Sequence, residues 1–520
     1  MLPTPRARRF TGPLHLLLAA ALVWPAPPLR AQSALPALGD AASADLDVND
    51  ERRLGEQIMQ EVRRDPAYLD DPVLLDYVDA MWRKLVAAAR QQGHIGADLD
   101  RPFAWDMFLV RDPSVNAFAL PGGHVGVHLG LIAMTTRPDE LASVLAHELS
   151  HVTQRHIARS MGSAQRTSMV SLAAMMLGLL AASRAGNADA AQMAIAGGQA
   201  AMIQGQLNFS RDMEREADRI GYGLLETSGF APQAMTSMFE KLAAANRLND
   251  SGAYPYLRSH PLTSERIAEA SARNAASADR PAPDLLHALM RARAQVLMDP
   301  GATTLARLQE APVPGERGDD RLVGLYRRAL ASVRLNDGAA ARAAATQAIE
   351  LAEAKPGADP AVGRVLRWLG AEVLLSQEQA ESALALLGPS DNARPAVLLR
   401  AQAIRVTAGR AATAQARQTA LRDSLQSLQA WVAEHPEDAA AWSQMSLTAA
   451  AAGQPLRALR ADAEARLASG DLAGAMDRLR AGRRTEGQDE AIERHVIDAR
   501  LRALEIWRRD LYGAPNSPAR

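Results

Sequence analysis

Two histidines and a glutamate inside one apolar run carry the strongest chemical signal in this 520-residue sequence. The run, LASVLAHELSHVTQRH at residues 141–156, has no glycine or proline and predicts a helix with a buried side. His147 and His151, four residues apart, share a helix face and can chelate one Zn²⁺. Glu148 then lies beside the open coordination position, where it can pass a proton from water to a leaving amine. The alternative is an amphipathic helix that carries two histidines without any chemistry.

A catalytic zinc site normally has three protein ligands and a water, so the two histidines need a partner. His156 fails as that partner because, nine residues after His147, it points to the opposite side of the predicted helix. Ile157 occupies the position at which an extended motif would carry a third histidine. The third ligand is therefore expected to be a carboxylate on another helix.

An acidic helix start later in the chain, SRDMEREADRIG at residues 210–221, supplies such carboxylates. Glu214 and Asp218 share one face of this helix, while Glu216 points elsewhere. Glu214 is the expected zinc ligand, and Asp218 suits a supporting position from which it orients a histidine or the leaving group. The alternative for this pair is an ordinary solvated helix start.

A small sheet is predicted directly before the zinc-binding helix. Residues 104–110 (AWDMFLV) and 125–128 predict two strands, and helices are predicted before them at 51–64 and 72–90. An extended peptide can pair with the edge of such a sheet as an added strand. This pairing would hold the scissile carbonyl of the peptide over the metal.

Composition favours a helical protein and excludes several classes of function. Hydrophobic residues make up 48% of the chain but aromatic residues only 4%, a balance that favours helices packed on helices. The formal net charge of -1 gives no electrostatic basis for nucleic-acid binding. The chain has no cysteine, which excludes disulfides and a lipid-carrying thiol. Its length suggests about three domains.

The N-terminal residues predict export. Arginines precede a short apolar segment with a cleavage site at Ala31, so residues 1–31 are expected to be a signal peptide and 32–48 a linker. An uncleaved membrane anchor is the alternative.

Another apolar run, at 169–182, is too short to span a bilayer. It is expected to be a lid over the active-site groove, a buried core helix, or a helix in peripheral contact with a membrane or client.

Taken together, AHELSHV and SRDMEREADRIG resemble the zinc metallopeptidase family that contains HtpX and the CAAX prenyl endoproteases. NAFALPGGHVGVHLGLI, at residues 116–132, resembles the strand-and-turn region of that family. The resemblance covers roughly residues 49–270 and implies a mainly α protein with an α+β, gluzincin-like zincin domain around a small sheet. The roles it implies are zinc ligation by His147, His151 and Glu214, a general base at Glu148 and a proton donor at Asp218.

The signal peptide and helical tail resemble the soluble periplasmic members of that family. In those members a histidine in a segment like Ser259-His260-Pro261 can fill the vacant zinc position, which implies that His260 is a displaceable fourth ligand. A loop histidine that caps the next helix is the alternative. The resemblance also implies unfolded or stalled outer-membrane proteins as clients, and contact with the β-barrel assembly machinery. A membrane-bound prenyl-protein endopeptidase is disfavoured, because no later segment is long enough to span a bilayer.

The C-terminal half predicts paired helices. After a helical connector at 271–320, residues 321–511 return several times to a pattern typical of tetratricopeptide repeats, as in HPEDAAAW (435–442) and SGDLAGA (469–475). Such arrays form concave surfaces for extended segments of other proteins. A generic helical bundle is the alternative. Residues 512–520 are expected to be a disordered tail.

These observations predict a periplasmic zinc endopeptidase followed by a helical array that brings clients to it. The competing hypothesis is a chaperone or scaffold whose zinc is structural and whose array does the useful binding. The two hypotheses differ at Glu148, which a structural zinc site does not need.

Overall fold

Helices make up most of the protein, and one small sheet lies in its N-terminal part. The computed structural model describes residues 46–160, 211–248, 254–273, 284–311, 318–355, 357, 359–485 and 491–512. The expected signal peptide, the apolar run at 169–182 and residues 513–520 lie outside these ranges. None of the helices within them is long and apolar enough to cross a membrane.

The N-terminal part alternates helices with strands. Its helices are α1 (Val48–Arg64), α2 (Pro72–Gln91), α3 (Ala97–Asp100), α4 (Leu129–Met134), α5 (Pro138–Thr153) and α6 (His156–Ser160). Its strands are β1 (Tyr68–Leu69), β2 (Asp106–Val110), β3 (Ala117–Leu120) and β4 (His124–His128). Asp47 and Asp71 cap α1 and α2, each accepting a backbone hydrogen bond with its side chain. Leu46 is already buried, so the last residues of the predicted linker belong to the folded part.

The four strands form one sheet in the order β1-β2-β4-β3. β2 and β4 run parallel, whereas β1 and β3 are antiparallel to their neighbours. β3 is therefore an edge strand, and it packs against α5. The sequence predicted β2 and β4 but missed β3, because four residues reading AFAL carry no alternation that favours a strand. The expected sheet edge beside the zinc-binding helix is confirmed.

The rest of the described chain is helical. The middle helices are α7 (Arg211–Ser228), α8 (Gln233–Leu248), α9 (Tyr256–Ser259), α10 (Ser264–Arg273), α11 (Leu285–Met298) and α12 (Ala302–Glu310). The C-terminal helices are α13 (Asp319–Arg334), α14 (Gly338–Glu353), α15 (Pro360–Ser376), α16 (Ala380–Leu387), α17 (Arg394–Gly409), α18 (Ala414–Glu434), α19 (Ala439–Ala451), α20 (Pro455–Ala468), α21 (Leu472–Arg484) and α22 (Ala491–Tyr512). The mainly α fold with a small sheet and a helical C-terminal region is confirmed.

Each helix from α13 onward packs mainly on the next helix of the chain. Small side chains allow this close packing, and α14 shows it best, because all of its buried residues are alanines. We call α13–α22 the helical array. α11, in the predicted connector, is not a spacer: it buries His287, Leu289 and Met290 and packs on both α4 and α13. α11 thus joins the N-terminal part to the array.

Two consecutive aspartates at the end of β1 attach the N-terminal part to the helical array. The guanidinium of Arg293, on α11, donates to both carboxylate oxygens of Asp71 at 2.7 and 2.8 Å, and to Glu372 on α15 at 2.8 Å. Arg394, on α17, binds Asp70 in the same two-point manner at 2.6 and 2.8 Å. Burial raises the pKa of Asp71, but Arg293 more than offsets this and holds it below its usual value. The buried pair is therefore ionised on both sides.

We expect Arg293→Met to lower the free energy of unfolding by about 3–5 kcal/mol, because it leaves the carboxylate of Asp71 buried without its partner. Urea-induced unfolding followed by circular dichroism measures the change. Arg410→Met is the matched control, since Arg410 pairs with Glu378 at the exposed surface and its loss should cost less than about 1 kcal/mol. Equal losses in the two variants would contradict a stabilising role for the buried pair.

Candidate functional site

Two helices cross closely enough to bring the predicted site residues together. α5 and α7 carry five of them: His147, Glu148, His151, Glu214 and Asp218. Gly221 lies at the crossing, where a Cβ would lie only 3.3 Å from the backbone atoms of Ala146 and His147. Because glycine has no Cβ, the two backbones can approach, and the carboxylates on α7 reach the histidines on α5.

Four buried side chains, His147, His151, Glu214 and His260, place their donor atoms within 4.8 Å of one another. His147 Nε2 lies 3.0 Å from His151 Nε2 and 3.3 Å from His260 Nδ1. His260 Nδ1 lies 3.0 Å from Glu214 Oε1. Ligands held at ~2.0–2.1 Å around a tetrahedral zinc ion lie about 3.3 Å apart. The donor types and their spacing therefore fit one zinc ion.

The electrostatics of this group also favour a cation. Burial raises the pKa of Glu214, but His260 and His147 hold it well below its usual range, so the carboxylate stays ionised. Burial and the neighbouring rings of His147 and His260 lower the pKa of His151 well below its usual value. His151 is thus neutral, the form that binds a metal. Against the effect of burial, Asp218 and Glu214 raise the pKa of His147 to about 9, so this ring attracts a proton or a metal ion.

Glu148 is fully buried next to the four donors. Neither of its carboxylate oxygens has a hydrogen-bond partner of good geometry within the described ranges, and His260 Nε2 lies 3.4 Å from Oε1. Burial raises the pKa of Glu148, opposed by His260, by His147 and by the backbone of Ala119 on the edge strand β3. A carboxylate whose pKa is raised above its usual value is suited to accept a proton and return it.

Arg266, on α10, was missed by the sequence analysis and fixes the carboxylates of the site. Its Nε and Nη2 donate to Asp218 at 2.6 and 2.8 Å, and its Nη1 lies 2.7 Å from Glu214 Oε2. Asp218 Oδ1 lies in turn 2.9 Å from His147 Nδ1. The sequence left three roles open for Asp218: orientation of a histidine, orientation of the leaving group and, by the family resemblance, proton donation. This contact supports the first role, and proton donation stays a prediction. No spacing in the sequence indicates this role, because Asp218 and Glu214 lie 48 and 52 residues earlier, on another helix.

The prediction that His156 lies on the same helix as His147 is wrong. α5 ends before it, and Arg155 adopts a left-handed φ of 52° while its Nε donates to Glu51 at 2.9 Å. The chain therefore turns, and His156 begins α6. Its Nδ1 lies 2.8 Å from Nδ1 of His151, and its Nε2 lies 3.1 Å from Glu216. His156 thus contacts Nδ1 of the donor His151, but it is not itself among the four donors.

His260 directly follows the short helix α9, whose first residue packs on it. The rings of Tyr256 and His260 are 4.7 Å apart between centroids, with 31° between their planes. The backbone N–H of Tyr256 donates to the carbonyl of Val115, just before β3, at 3.4 Å. The alternative of a loop histidine that caps the next helix does not fit, because the ring of His260 is buried among the donors.

Comparisons with known proteins agree with this site. A model of peptidase family M48 matches residues 80–274. The mitochondrial metalloendopeptidase OMA1 of Schizosaccharomyces pombe is 30% identical over 271 residues, which cover 51% of this chain and 72% of that protein. The chain belongs to peptidase family M48. The family resemblance carried by the two motifs is thus confirmed.

Two bacterial relatives of this M48 chain are β-barrel assembly-enhancing proteases. That of Yersinia pestis is 38% identical over 271 residues, and that of Escherichia coli is 36% identical over 267 residues. Each alignment covers 51% of this chain and 52% of the relative. The chain spans about half the length of these curated relatives.

We expect Arg266→Met to lower the affinity of the M48 site for zinc by roughly 10- to 100-fold, because two carboxylates lose the donor that fixes them. Competition with a chromophoric zinc chelator measures this affinity without any assay of activity. Arg215→Met is the matched control, since Arg215 lies on α7 and pairs with Asp212 at the exposed surface. A folded Arg266→Met protein with unchanged zinc affinity would contradict the positioning role.

Proposed function

We propose that this protein is a periplasmic zinc-dependent endopeptidase that cleaves misfolded or stalled outer-membrane β-barrel proteins and assists their assembly. The observation that carries the peptidase activity is the fully buried Glu148 beside the donors His147, His151 and Glu214. A structural zinc site needs no such carboxylate. Membership of family M48 and the similarity to β-barrel assembly-enhancing proteases support both parts of the proposal.

The proposed reaction begins with an extended peptide paired to the edge strand β3, which lies against α5. His147, His151 and Glu214 would hold the zinc ion, which supplies polarisation of the scissile carbonyl and acidifies the attacking water. Glu148 takes the proton of that water and passes it to the leaving amine. Its closeness to the backbone of Ala119 supports a proton transfer directly beside the bound peptide.

The charged groups behind the donors are assigned to positioning. Asp218 keeps Nε2 of His147 directed at the metal by holding its Nδ1, and His156 approaches His151 in the same way. Arg266 prevents the two carboxylates of α7 from repelling each other. Glu148 is then left as the group that moves the proton.

His260 is proposed as a displaceable fourth ligand that holds the enzyme at rest. A neutral imidazole at this position excludes the attacking water. Two contacts support this role: Nδ1 of His260 lies among the donors, while its Nε2 faces Glu148 at 3.4 Å. The ring thus stands between the base and the metal ligands, where the water would have to be.

The helical array is proposed to bind clients and the β-barrel assembly machinery. A cavity of about 700 Å³ between the N-terminal part and the array supports a binding role. Its walls combine carboxylates such as Asp76 and Asp79 with the aromatic ring of Trp431. A cavity of this size and mixed chemistry can hold side chains of an extended segment.

The closed set of four donors favours a second candidate function, a chaperone with a structural zinc ion. Structural zinc sites are filled by four protein ligands, whereas catalytic sites keep one position open. The four donors alone would look the same for both functions, and the buried Glu148 beside them favours the peptidase. They differ in what happens when His260 or Glu148 is changed.

The decisive experiment compares wild type with Glu148→Gln, each with and without His260→Ala. Zinc content is measured in all four proteins, and cleavage of an unfolded outer-membrane β-barrel protein is followed on gels. We expect all four to bind zinc and Glu148→Gln to slow cleavage by about 100- to 10,000-fold, the usual contribution of a general base. Retained assembly activity in Glu148→Gln, without cleavage by the His260→Ala form, would establish the chaperone function instead.

We expect His260→Ala to raise the basal cleavage rate, and Tyr256→Leu to raise it as well because the aromatic ring that packs on the imidazole is lost. A tenfold increase would mean that the closed form is favoured by about 1.4 kcal/mol. Tyr256→Phe is the matched control, since it keeps the ring and should behave as wild type. The visible spectrum of the cobalt-substituted proteins reports the change in donors independently of activity. Equal effects of Phe and Leu would show that the hydroxyl, not the ring, matters.

A further inference from the structure

The last described helix carries an apolar stripe on its outer face. Exposed apolar residues recur along α22 at alternating spacings of four and three: Ile492, Val496, Ala499, Ala503 and Ile506. Ile492 is 81% exposed, Ile506 55% and Val496 40%. Four large apolar side chains are exposed in the part of the chain that the structure describes, and three of them lie in this stripe. Single exposed apolar residues are normal, but their concentration on one helix face indicates a binding surface.

The opposite face of α22 already supplies the packing that the helix needs. Its buried apolar residues are Ile497, Leu501 and Leu504. Two charged residues near that face are paired with α20, Glu493 with Arg460 and Arg500 with Glu464. The stripe is therefore not required for the fold of the array, and its apolar side chains are available to contact a partner.

The exposed polar residues along one border of the stripe are basic, while the acidic Asp498 and Glu505 next to them are half-buried. Arg502 and Arg509 are exposed seven residues apart, so they lie along the same border of the stripe, together with His495. Asp510, four residues after Ile506 at the C-terminal end of the stripe, is the one exposed carboxylate among the α22 side chains described, whereas Glu493 and Asp498 are paired with Arg460 and Arg483. A helix face with an apolar stripe and arginines along its border is typical of helices that lie in the interface of an anionic membrane.

We propose that the outer face of α22 binds a membrane surface that contains anionic phospholipids. The stripe enters the headgroup region, and Arg502 and Arg509 contact lipid phosphates. Pairing with a second copy of the chain is disfavoured by charge, because a two-fold contact through this face would bring both arginines of each copy into one interface. This site adds to the proposed function and depends neither on zinc nor on cleavage.

Sedimentation of the purified protein with lipid vesicles tests the proposal. Vesicles of mixed phosphatidylglycerol and phosphatidylcholine should bind the protein, vesicles of phosphatidylcholine alone should bind it weakly, and added salt should reduce binding. We expect the double variant Ile492→Ser/Ile506→Ser to weaken binding by about tenfold or more, because it removes most of the apolar surface that the membrane would cover. Arg502→Gln/Arg509→Gln should weaken binding to the anionic vesicles by about tenfold and abolish most of its salt dependence.

The matched controls change residues of the same type on other helices. Leu447→Ser removes a side chain that is 49% exposed on α19, and Arg422→Gln removes an exposed arginine on α18. Both should bind vesicles as wild type does. Three outcomes would overturn the proposal: no binding of wild type to anionic vesicles at low salt, equal loss in the controls, or a dimer in light scattering that the Ile492→Ser/Ile506→Ser variant abolishes. The last outcome would assign the stripe to a second copy of the chain.

Discussion

The site depends on one constraint: charged groups that are removed from water have to be paired. Arg266 meets it for two carboxylates at once, since it contacts both Asp218 and Glu214 while its own side chain is almost fully buried. The guanidinium of Arg266 fixes the distance between α7 and α10, and Asp218 then fixes the orientation of the ring of His147. The geometry of the metal ligands is therefore fixed by charges that are not ligands themselves. Close approach at Gly221 is what allows these charges to reach α5.

The same constraint determines where the helical array lies. Asp70 and Asp71 follow a strand of only two residues, and each is held by an arginine from a different helix, Arg394 or Arg293. β1 alone could not fix an array of ten helices, but the buried two-point pair of Asp71 with Arg293, which also contacts Glu372 on α15, is rigid in distance and angle. Because β1 pairs with β2, and β2 and β4 connect it to β3, the array is held in a defined position relative to the sheet edge. In the proposed function, a client bound to the array would meet that edge at a fixed place.

Much of this protein could be predicted from the spacing of nearby residues in its sequence. Helical spacing placed His147 and His151 on one face, and the same argument selected Glu214 and Asp218 over Glu216 on a second helix. What could not be predicted depends on contacts between residues far apart in the chain. The end of α5 is one case, because the left-handed Arg155 is stabilised by Glu51, 104 residues earlier. Arg266 is another, and β3 is a third, since a short apolar strand is defined by its partner β4 rather than by its own pattern.

His260 and Arg266 are six residues apart but have opposite requirements in the proposed mechanism. Arg266 has to stay in place in every state, because the carboxylates of α7 would otherwise be buried without their partner. His260 has to leave before water and a peptide carbonyl can approach. In the proposed mechanism the movement then falls on Tyr256–His260, because Nη1 of Arg266 also donates to the carbonyl of Pro261 at 2.9 Å, and the hydrogen bond between Tyr256 and Val115 has to open. When that bond opens, the carbonyl of Val115 becomes free just before β3, so a peptide that pairs with this edge would compete with the resting segment for the backbone and for the metal position together.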